Sequence, residues 1–272
     1  MYKLVAIDLD GTLLNEDKNI SEHNYNVLQE IIAKGIKVVI ATGRTYTAAK
    51  QYHNALKLDT PIISCNGGYI YNPKTQRVLS GTEISKIKVD KILKVLRKHE
   101  TFFQFYTAKS IYAKELKYLV ENWNERNKIL SDEDKISIEL IDVKANFLQN
   151  INDPIYKFLA IEKDKEKYEA IMKDLNEIAD LEIVSSFSGA IDIMTSGISK
   201  GNAVEEVCKY YNIDLEESIG IGDNNNDISM LLKAGLGIAM KNATELAKKS
   251  ASVIAEENTD DGVGKILEYY LL

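Results

Sequence analysis

Cysteine, proline and long apolar runs are all scarce in this chain, and each scarcity excludes a class of protein. The 272 residues include 2 cysteines and 3 prolines. Cys65 and Cys208 lie far apart without a CxxC spacing, so neither a disulfide framework nor a zinc site is expected. No apolar run approaches the roughly 18–20 residues that span a bilayer. Asp8 comes too early in the sequence for an N-terminal signal segment. We therefore expect a cytoplasmic protein with no membrane partner.

A surplus of positive charge is also missing. Lys and Arg together number 34 and Asp and Glu together 41, which gives a net charge of −7. Nucleic acids and anionic membranes both favour basic surfaces, so neither is expected as the main partner. The sequence also lacks the GxGxxG dinucleotide fingerprint, the GxxxxGK[ST] phosphate loop and the EF-hand calcium loop. These absences leave a globular protein that binds a small molecule as the simplest expectation.

Strands and helices alternate at both ends of the chain. Apolar runs such as residues 3–8 and 218–222 precede helical patterns, which predicts βαβ units and a parallel sheet covered on both faces. In the middle, the strand-like segments come in adjacent pairs, which predicts antiparallel pairing. The sequence therefore predicts an α/β fold. Its Rossmann-like core comprises residues 1–82 together with 196–272, and residues 83–195 are inserted as an α+β cap.

Two polar segments follow predicted strands near the start of the chain. In the segment Asp8-Leu9-Asp10-Gly11-Thr12, Gly11 permits a sharp turn, so both aspartates can face one site. Carboxylates this close raise each other's pKa unless a cation lies between them, and Mg²⁺ is the natural cation for oxygen ligands. The segment Thr42-Gly43-Arg44 offers a hydroxyl and a backbone N–H at a helix N-terminus, which suits an anion. A solvated Asx turn and a helix cap with an exposed arginine remain open as plainer interpretations.

Two further segments lie near the carboxyl end of the chain. Lys200, in Ser199-Lys200-Gly201, falls in the first turn of a predicted helix, where the helix dipole mildly disfavours a cation. A residue placed against a local rule points to function, although simple exposure is the default for a single lysine. The segment Gly222 to Asp227, GDNNND, carries two carboxylates and three amides at one strand end. That is more polar groups than a plain turn with an N-cap needs.

Taken together, the four segments resemble the motifs of the haloacid dehalogenase-like hydrolase superfamily, in order and in spacing. DLDGTLL at 8–14, ATGR at 41–44, SKG at 199–201 and GDNNND at 222–227 match its first to fourth motifs. CNGG at 65–68, GIAM at 237–240 and TDDGV at 259–263 extend the resemblance to the Cof-type subfamily, whose inserted cap is of type IIB. The likeness covers essentially the whole chain.

The resemblance implies a role for each motif residue. Asp8 would attack phosphorus as the nucleophile, and Asp10 would act as general acid and then as general base. Mg²⁺ would bind the Asp8 carboxylate, the Asp10 main-chain carbonyl and Asp223. Asp227 would support Lys200 or a metal-bound water, and Arg44 and Asn66 could touch the leaving group. The residues expected to hold the phosphoryl oxygens are Leu9, Thr42, Gly43, Lys200 and Asn226.

The expected activity is that of a magnesium-dependent phosphatase acting on a small phosphorylated metabolite, with a sugar phosphate as the favoured substrate. Because all four motifs lie outside residues 83–195, the cap is expected to set substrate choice. Two alternatives remain open at this stage. One is phosphoryl transfer to an acceptor other than water, as in a phosphomutase, and the other is a catalytically idle protein that binds a phosphate ligand.

Overall fold

Strands and helices alternate through the computed structural model, which describes residues 1–132, 134–142 and 147–272. The strands are β1 (Leu4–Ile7), β2 (Lys37–Ala41), β3 (Ile62–Ser64), β4 (Tyr69–Asn72), β5 (Arg77–Gly81), β6 (Phe102–Tyr106), β7 (Ser110–Ala113), β8 (Ser137–Leu140), β9 (Lys157–Ile161), β10 (Leu181–Val184), β11 (Ala190–Thr195), β12 (Ser218–Gly222), β13 (Leu236–Met240) and β14 (Val253–Ala255). The helices are α1 (Glu22–Ala33), α2 (Tyr46–Ala55), α3 (Lys86–Lys98), α4 (Leu119–Asn127), α5 (Lys165–Asn176), α6 (Lys200–Tyr211), α7 (Ile228–Lys233), α8 (Glu245–Ser250) and α9 (Gly262–Leu271).

The first sheet has eight strands in the order β14-β13-β12-β1-β2-β3-β4-β5. Strands β14 to β3 are parallel, and β4 and β5 add an antiparallel hairpin at one edge. The central strand β1, LVAI, is fully buried because helices cover both faces of the sheet. Every residue of this strand is therefore apolar. This confirms the predicted α/β class with a Rossmann-like parallel core. We call this sheet and its helices the core.

The second sheet has six strands in the order β10-β11-β9-β6-β7-β8 and forms the cap. Its pairs are antiparallel, as expected, except that β7 and β8 run parallel. The exception has a topological cause, since helix α4 lies between β7 and β8 and returns the chain to the same end of the sheet. The cap boundaries at residues 82/83 and 195/196 remain predictions.

Helix starts follow the capping residues that the sequence offers. The side-chain oxygens of Ser21, Thr45 and Ser199 each accept a backbone N–H three residues on, at the start of α1, α2 and α6. A helix over residues 226–234 is expected from the sequence, but residues 225–227 form a 3₁₀ turn and α7 begins at Ile228. The tighter turn lets Asp227 fold back onto the preceding loop. None of the helices in the described part of the chain is long and apolar enough to cross a bilayer.

Helices α6 and α7 approach closely where Gly201 faces the start of α7. The Gly201 N–H donates to Ser229 Oγ at 3.0 Å, and a Cβ at this position would lie 2.2 Å from the Ser229 carbonyl oxygen. No side chain fits in that space, so the glycine sets the distance between the two helices. The contact also fixes Lys200, the residue before it. Cys65 and Cys208 are buried, free thiols.

We predict that Gly201→Ala lowers the free energy of unfolding by about 1–3 kcal/mol, because the added methyl group must push the two helices apart. Urea denaturation measures the change. Glu206→Ala, at an exposed position of the same helix, is the matched control and should stay within about 0.5 kcal/mol of the wild type. Equal stability of the two variants would show that the close approach is not required.

Candidate active site

The four polar segments of the sequence meet at one edge of the core sheet. Asp8 follows β1, Thr42 follows β2 and Asp223 follows β12, and these three strands are neighbours in the sheet. Lys200 is the first residue of α6. The carboxyl ends of parallel strands border the ligand crevice of such a sheet, which is where the sequence placed these residues.

Lys200 lies at the centre of the site and is completely buried. Its Nζ donates to Asp8 Oδ1 at 2.7 Å and to Asp227 Oδ1 at 2.6 Å. Burial alone would lower the pKa of Lys200, but the charges of Asp227 and Asp8 outweigh it and raise this pKa above its usual value. The lysine therefore stays charged and fixes one oxygen of Asp8.

Asp227 organises the loop that follows β12. Its Oδ2 accepts the backbone N–H groups of Asp223 at 3.0 Å and of Asn224 at 2.9 Å, while Oδ1 binds Lys200. Both carboxylate oxygens are thus engaged within the protein. This geometry suits the supporting role expected for Asp227 better than direct metal ligation.

Asp223 lies beside the turn after β1. Its Oδ1 accepts the Thr12 hydroxyl at 2.7 Å. Gly11 has a φ of 77° in the left-handed region, and a Cβ there would lie 2.5 Å from Asp223 Oδ2. The glycine is therefore required both for the turn and for the approach of the carboxylate. Thr12 had no assigned role at the level of sequence.

A divalent cation fits the charge balance of this site. Asp8, Asp223 and Asp227 place carboxylate oxygens within 4.8 Å of one another, and Lys200 is the cation bound among them. Burial and the charge of Asp227 raise the pKa of Asp8 to about 7. Burial and the charges of Asp227 and Asp8 raise the pKa of Asp223 to about 8. Among the described residues there is too little positive charge to keep Asp8 and Asp223 ionised, and hard oxygen donors are the ligands that Mg²⁺ prefers.

The Thr42-Gly43-Arg44 turn is held by the segment after β3. The Asn66 N–H donates to the Thr42 carbonyl at 3.0 Å and the Cys65 N–H to the Arg44 carbonyl at 2.8 Å. Cys65 and Asn66 both adopt positive φ, at 51° and 57°, to make these bonds. Asn226 Nδ2 donates to Asn66 Oδ1 at 3.0 Å, and Asn226 Oδ1 is buried without a partner among the described residues.

Asp10 and Arg44 form a two-bond ion pair across the site. Arg44 Nε and Nη2 lie 2.6 Å from Asp10 Oδ2 and Oδ1, and Lys18 Nζ lies 3.0 Å from Oδ1. The guanidinium stacks between the rings of Tyr52 and Trp123, at 5.0 and 4.7 Å. Partial burial would raise the pKa of Asp10, but the charge and hydrogen bonds of Arg44, together with Lys18, hold it well below its usual range. Asp10 is therefore ionised in this arrangement.

A cavity of about 730 Å³ opens above these residues and extends under the cap. Asp8, Asp10, Thr42, Asp223 and Asn226 line its floor. Its upper wall is mainly apolar and comes from the cap, with Tyr106, Ile111, Leu119, Trp123, Leu159 and Phe187. These wall residues were not identified from the sequence, because no local pattern distinguishes them from ordinary core residues. Lys157 also lines the cavity, and a lysine inside the buried run IYKFLAI was a visible exception to the strand pattern.

We predict that the metal-free protein loses stability through Asp8 and Asp223 as the pH rises from about 5 to about 8. Each of their pKa values is raised from 3.8, to about 7 and about 8, so the folded chain binds these protons more tightly than the unfolded chain. Their ionisation therefore favours unfolding. Urea denaturation in a chelator measures the effect, and the difference between wild type and Asp223→Asn isolates it. A wild type that loses no more stability than Asp223→Asn over this range would contradict the assignment.

Comparison with known proteins places the chain in a family. Residues 5–267 match the model of the haloacid dehalogenase-like hydrolases. The Bacillus subtilis phosphatase YwpJ is 32% identical over 99% of this chain and 100% of its own length. The 5-amino-6-(5-phospho-D-ribitylamino)uracil phosphatase YcsE of the same organism is 30% identical over 99% of this chain and 96% of its own.

Solved structures have the same fold as this chain, with both the core and the cap included in the superposition. A haloacid dehalogenase-like hydrolase from B. subtilis superposes with a TM-score of 0.86 at 30% identity, over 99% of this chain and 100% of its own. A subclass IIB sugar phosphatase superposes at 0.82 with 24% identity, over 98% of each chain, which supports the fold alone. The chain therefore belongs to the haloacid dehalogenase-like hydrolases, as a phosphatase of that family.

Proposed function

We propose that this protein is a magnesium-dependent phosphomonoesterase that forms a phospho-aspartate on Asp8. The observation that carries the proposal is the fixed Asp8 carboxylate at the floor of the cavity, bound through Oδ1 to a buried, charged Lys200. The Thr42 hydroxyl, which can donate a hydrogen bond to a phosphoryl oxygen, lies at the same floor. This combination provides a nucleophile, positive charge and polar groups around one position, which is what phosphoryl transfer requires.

Asp8, Asp223 and the main-chain carbonyl of Asp10 are the groups that would hold Mg²⁺. The raised pKa values of Asp8 and Asp223 support this, because burial and the neighbouring carboxylates disfavour their ionised forms when no cation is bound. When bound, the ion would neutralise charge on the phosphoryl oxygens and keep both carboxylates ionised.

The reaction would take place in two steps on the residues described. A carboxylate oxygen of Asp8 attacks phosphorus, an aspartyl phosphate forms, and the bond from phosphorus to the ester oxygen breaks. The leaving oxygen takes up a proton. A water then attacks the same phosphorus and gives up its proton, the bond to Asp8 breaks, and inorganic phosphate leaves. Lys200 keeps Asp8 oriented in both steps through a charge-assisted hydrogen bond.

Asp10 is the proposed carrier of these protons, and its ion pair with Arg44 constrains how it acts. While paired, Asp10 is ionised and can accept a proton from the attacking water, but it has none to donate. To act as the acid in the first step, it must leave Arg44 and take up a proton from solvent. A leaving group that binds Arg44 in its place would release it, and Arg44 Nη1 is buried without a partner among the described residues. This is consistent with the contact to the leaving group expected for Arg44.

The cap wall bears on the choice among small substrates. A sugar phosphate remains the class expected from the sequence, and Asn122 and Glu125 offer polar groups to its hydroxyls. The apolar wall with Trp123 and Phe187 favours a second class, a phosphate ester whose leaving group carries a flat heteroaromatic ring. The B. subtilis relative named for a phosphoribitylamino-uracil substrate carries both a polyol chain and a ring in that name.

Asp8→Asn should abolish phosphate release, with a loss of several powers of ten in kcat, because the amide keeps the volume but not the nucleophile. Phosphate release from a panel of phosphate esters with Mg²⁺ measures it, and wild-type activity should vanish in a chelator. Asp132→Asn, at an exposed position, is the matched control with unchanged kcat. Turnover by a pure Asp8→Asn protein at the wild-type rate would exclude the mechanism, and an isomerised ester in place of free phosphate would show a phosphomutase.

Trp123→Ala should separate the two substrate classes. Loss of an aromatic contact costs about 0.5–1.5 kcal/mol, so kcat/KM for a heteroaromatic ester such as pyridoxal 5′-phosphate should fall about 2- to 10-fold more than for glycerol 3-phosphate. The second ester serves as an internal control, because its small leaving group does not reach the wall and responds only to indirect effects through Arg44. An equal change for both esters would show that Trp123 takes no part in substrate choice.

A further inference from the structure

Lys157 is a buried charge that the mechanism above does not use. It begins β9, the strand between β11 and β6 in the cap sheet, and its residue is 2% exposed. The remaining residues of the strand, FLAI, are apolar and buried. Burying a lysine in such a strand costs desolvation free energy. Strand formation alone therefore does not explain why a lysine occupies this position.

Three groups surround the Lys157 ammonium, and one of them belongs to the core. Asp192 Oδ1, on the neighbouring cap strand β11, lies 2.5 Å from Nζ. The Tyr106 ring lies below the ammonium, with its centroid 4.9 Å away. The third partner is the main-chain carbonyl of Gly43, which accepts a hydrogen bond from Nζ at 2.8 Å. The cap lysine therefore reaches across to the turn expected to bind phosphate.

Stability of the cap does not account for this arrangement. Burying two charges costs several kcal/mol for each ion, and well-packed apolar residues of similar volume stabilise a protein as well or better. Asp192 is fully buried, and Lys157 is the one cation that the described residues place against it. The ion pair is better explained by a role in holding the Lys157 ammonium close to the Gly43 carbonyl.

In the core, the absence of a side chain at Gly43 leaves room for the Lys157 ammonium. A Cβ at Gly43 would lie 3.2 Å from Lys157 Nζ and 2.9 Å from Asn66 Oδ1, so a side chain at position 43 would crowd both contacts. A second cap residue meets the core at the same place, since Asn66 Nδ2 lies 3.9 Å from the sulfur of Met194 on β11. The turn is thus held from the core by Asn66 and Cys65 and from the cap by Lys157.

We propose that Lys157 is a positioning residue that links cap closure to the geometry of the phosphate-binding turn. With the cap seated on the core, the ammonium holds the peptide between Gly43 and Arg44. This fixes the preceding Gly43 N–H and the Thr42 hydroxyl toward the phosphoryl oxygens. When the cap lifts, the turn loses this bond and binds phosphate less well. The proposal rests on the proposed function, because it takes the turn as the phosphate site.

The test uses the double variant Lys157→Met/Asp192→Asn, which removes both charges and so leaves no unpaired ion in the cap. Lys157→Met alone leaves the buried Asp192 charge without a cation, so this variant should be less stable than the double variant. The readouts are kcat/KM on several esters and the inhibition constant of inorganic phosphate, which has no leaving group. We expect kcat/KM to fall about 10- to 100-fold, the scale of one charge-assisted hydrogen bond. Phosphate affinity should weaken by a similar factor.

Matched variants decide between this role and others. Thr47→Ala removes a different bond between core and cap, from Thr47 Oγ1 to the Lys109 carbonyl at 2.9 Å, and should leave both readouts unchanged. Wild-type activity in the double variant would show that Lys157 only neutralises Asp192 and would overturn the proposal. A loss that varies with the leaving group while phosphate inhibition stays the same would also overturn it, in favour of direct substrate contact. An active Asp8→Asn protein would instead refute the proposed function.

Discussion

The bond between Lys200 and Asp8 is the interaction on which the rest of the site depends. A fully buried ammonium is tolerated because two carboxylates meet it at 2.6 and 2.7 Å, and the same ammonium keeps those carboxylates close together. Asp227 then uses its other oxygen to hold the loop that carries Asp223. Burial, together with the charges of neighbouring carboxylates, raises the pKa of Asp8 and Asp223 and creates the demand for a divalent cation.

Glycines make this concentration of charge geometrically possible. Gly11 admits Asp223, Gly43 admits Lys157 and Asn66, and Gly201 lets α6 approach α7 so that Lys200 enters the site. At each position a Cβ would lie between 2.2 and 3.2 Å from a neighbouring atom. These close backbone approaches let the charged side chains come within hydrogen-bond distance of one another.

The cap changes what the core residues can do. Trp123 stacks on Arg44, and Arg44 holds Asp10 ionised, so a cap side chain influences the proposed acid and base. Lys157 binds the turn at Gly43 from the same side. The proposed reacting groups therefore lie in the core, while side chains of the cap contact Arg44 and Gly43 beside them. Under the proposed function, the contacts at Arg44 and Gly43 would connect substrate choice with the chemistry.

The sequence by itself determined the fold class, the α/β core and the residues gathered at the strand ends, because apolar periodicity and helix caps are local signals and DLDGT, ATGR, SKG and GDNNND are contiguous. It missed the parallel pairing of β7 with β8 and the 3₁₀ turn at residues 225–227. The Asp10–Arg44 pair, the aromatic cap wall and the Lys157 bond to Gly43 were decided only by the tertiary structure. These contacts join residues 34 to 114 positions apart, and no local pattern encodes which distant side chain a buried charge will meet.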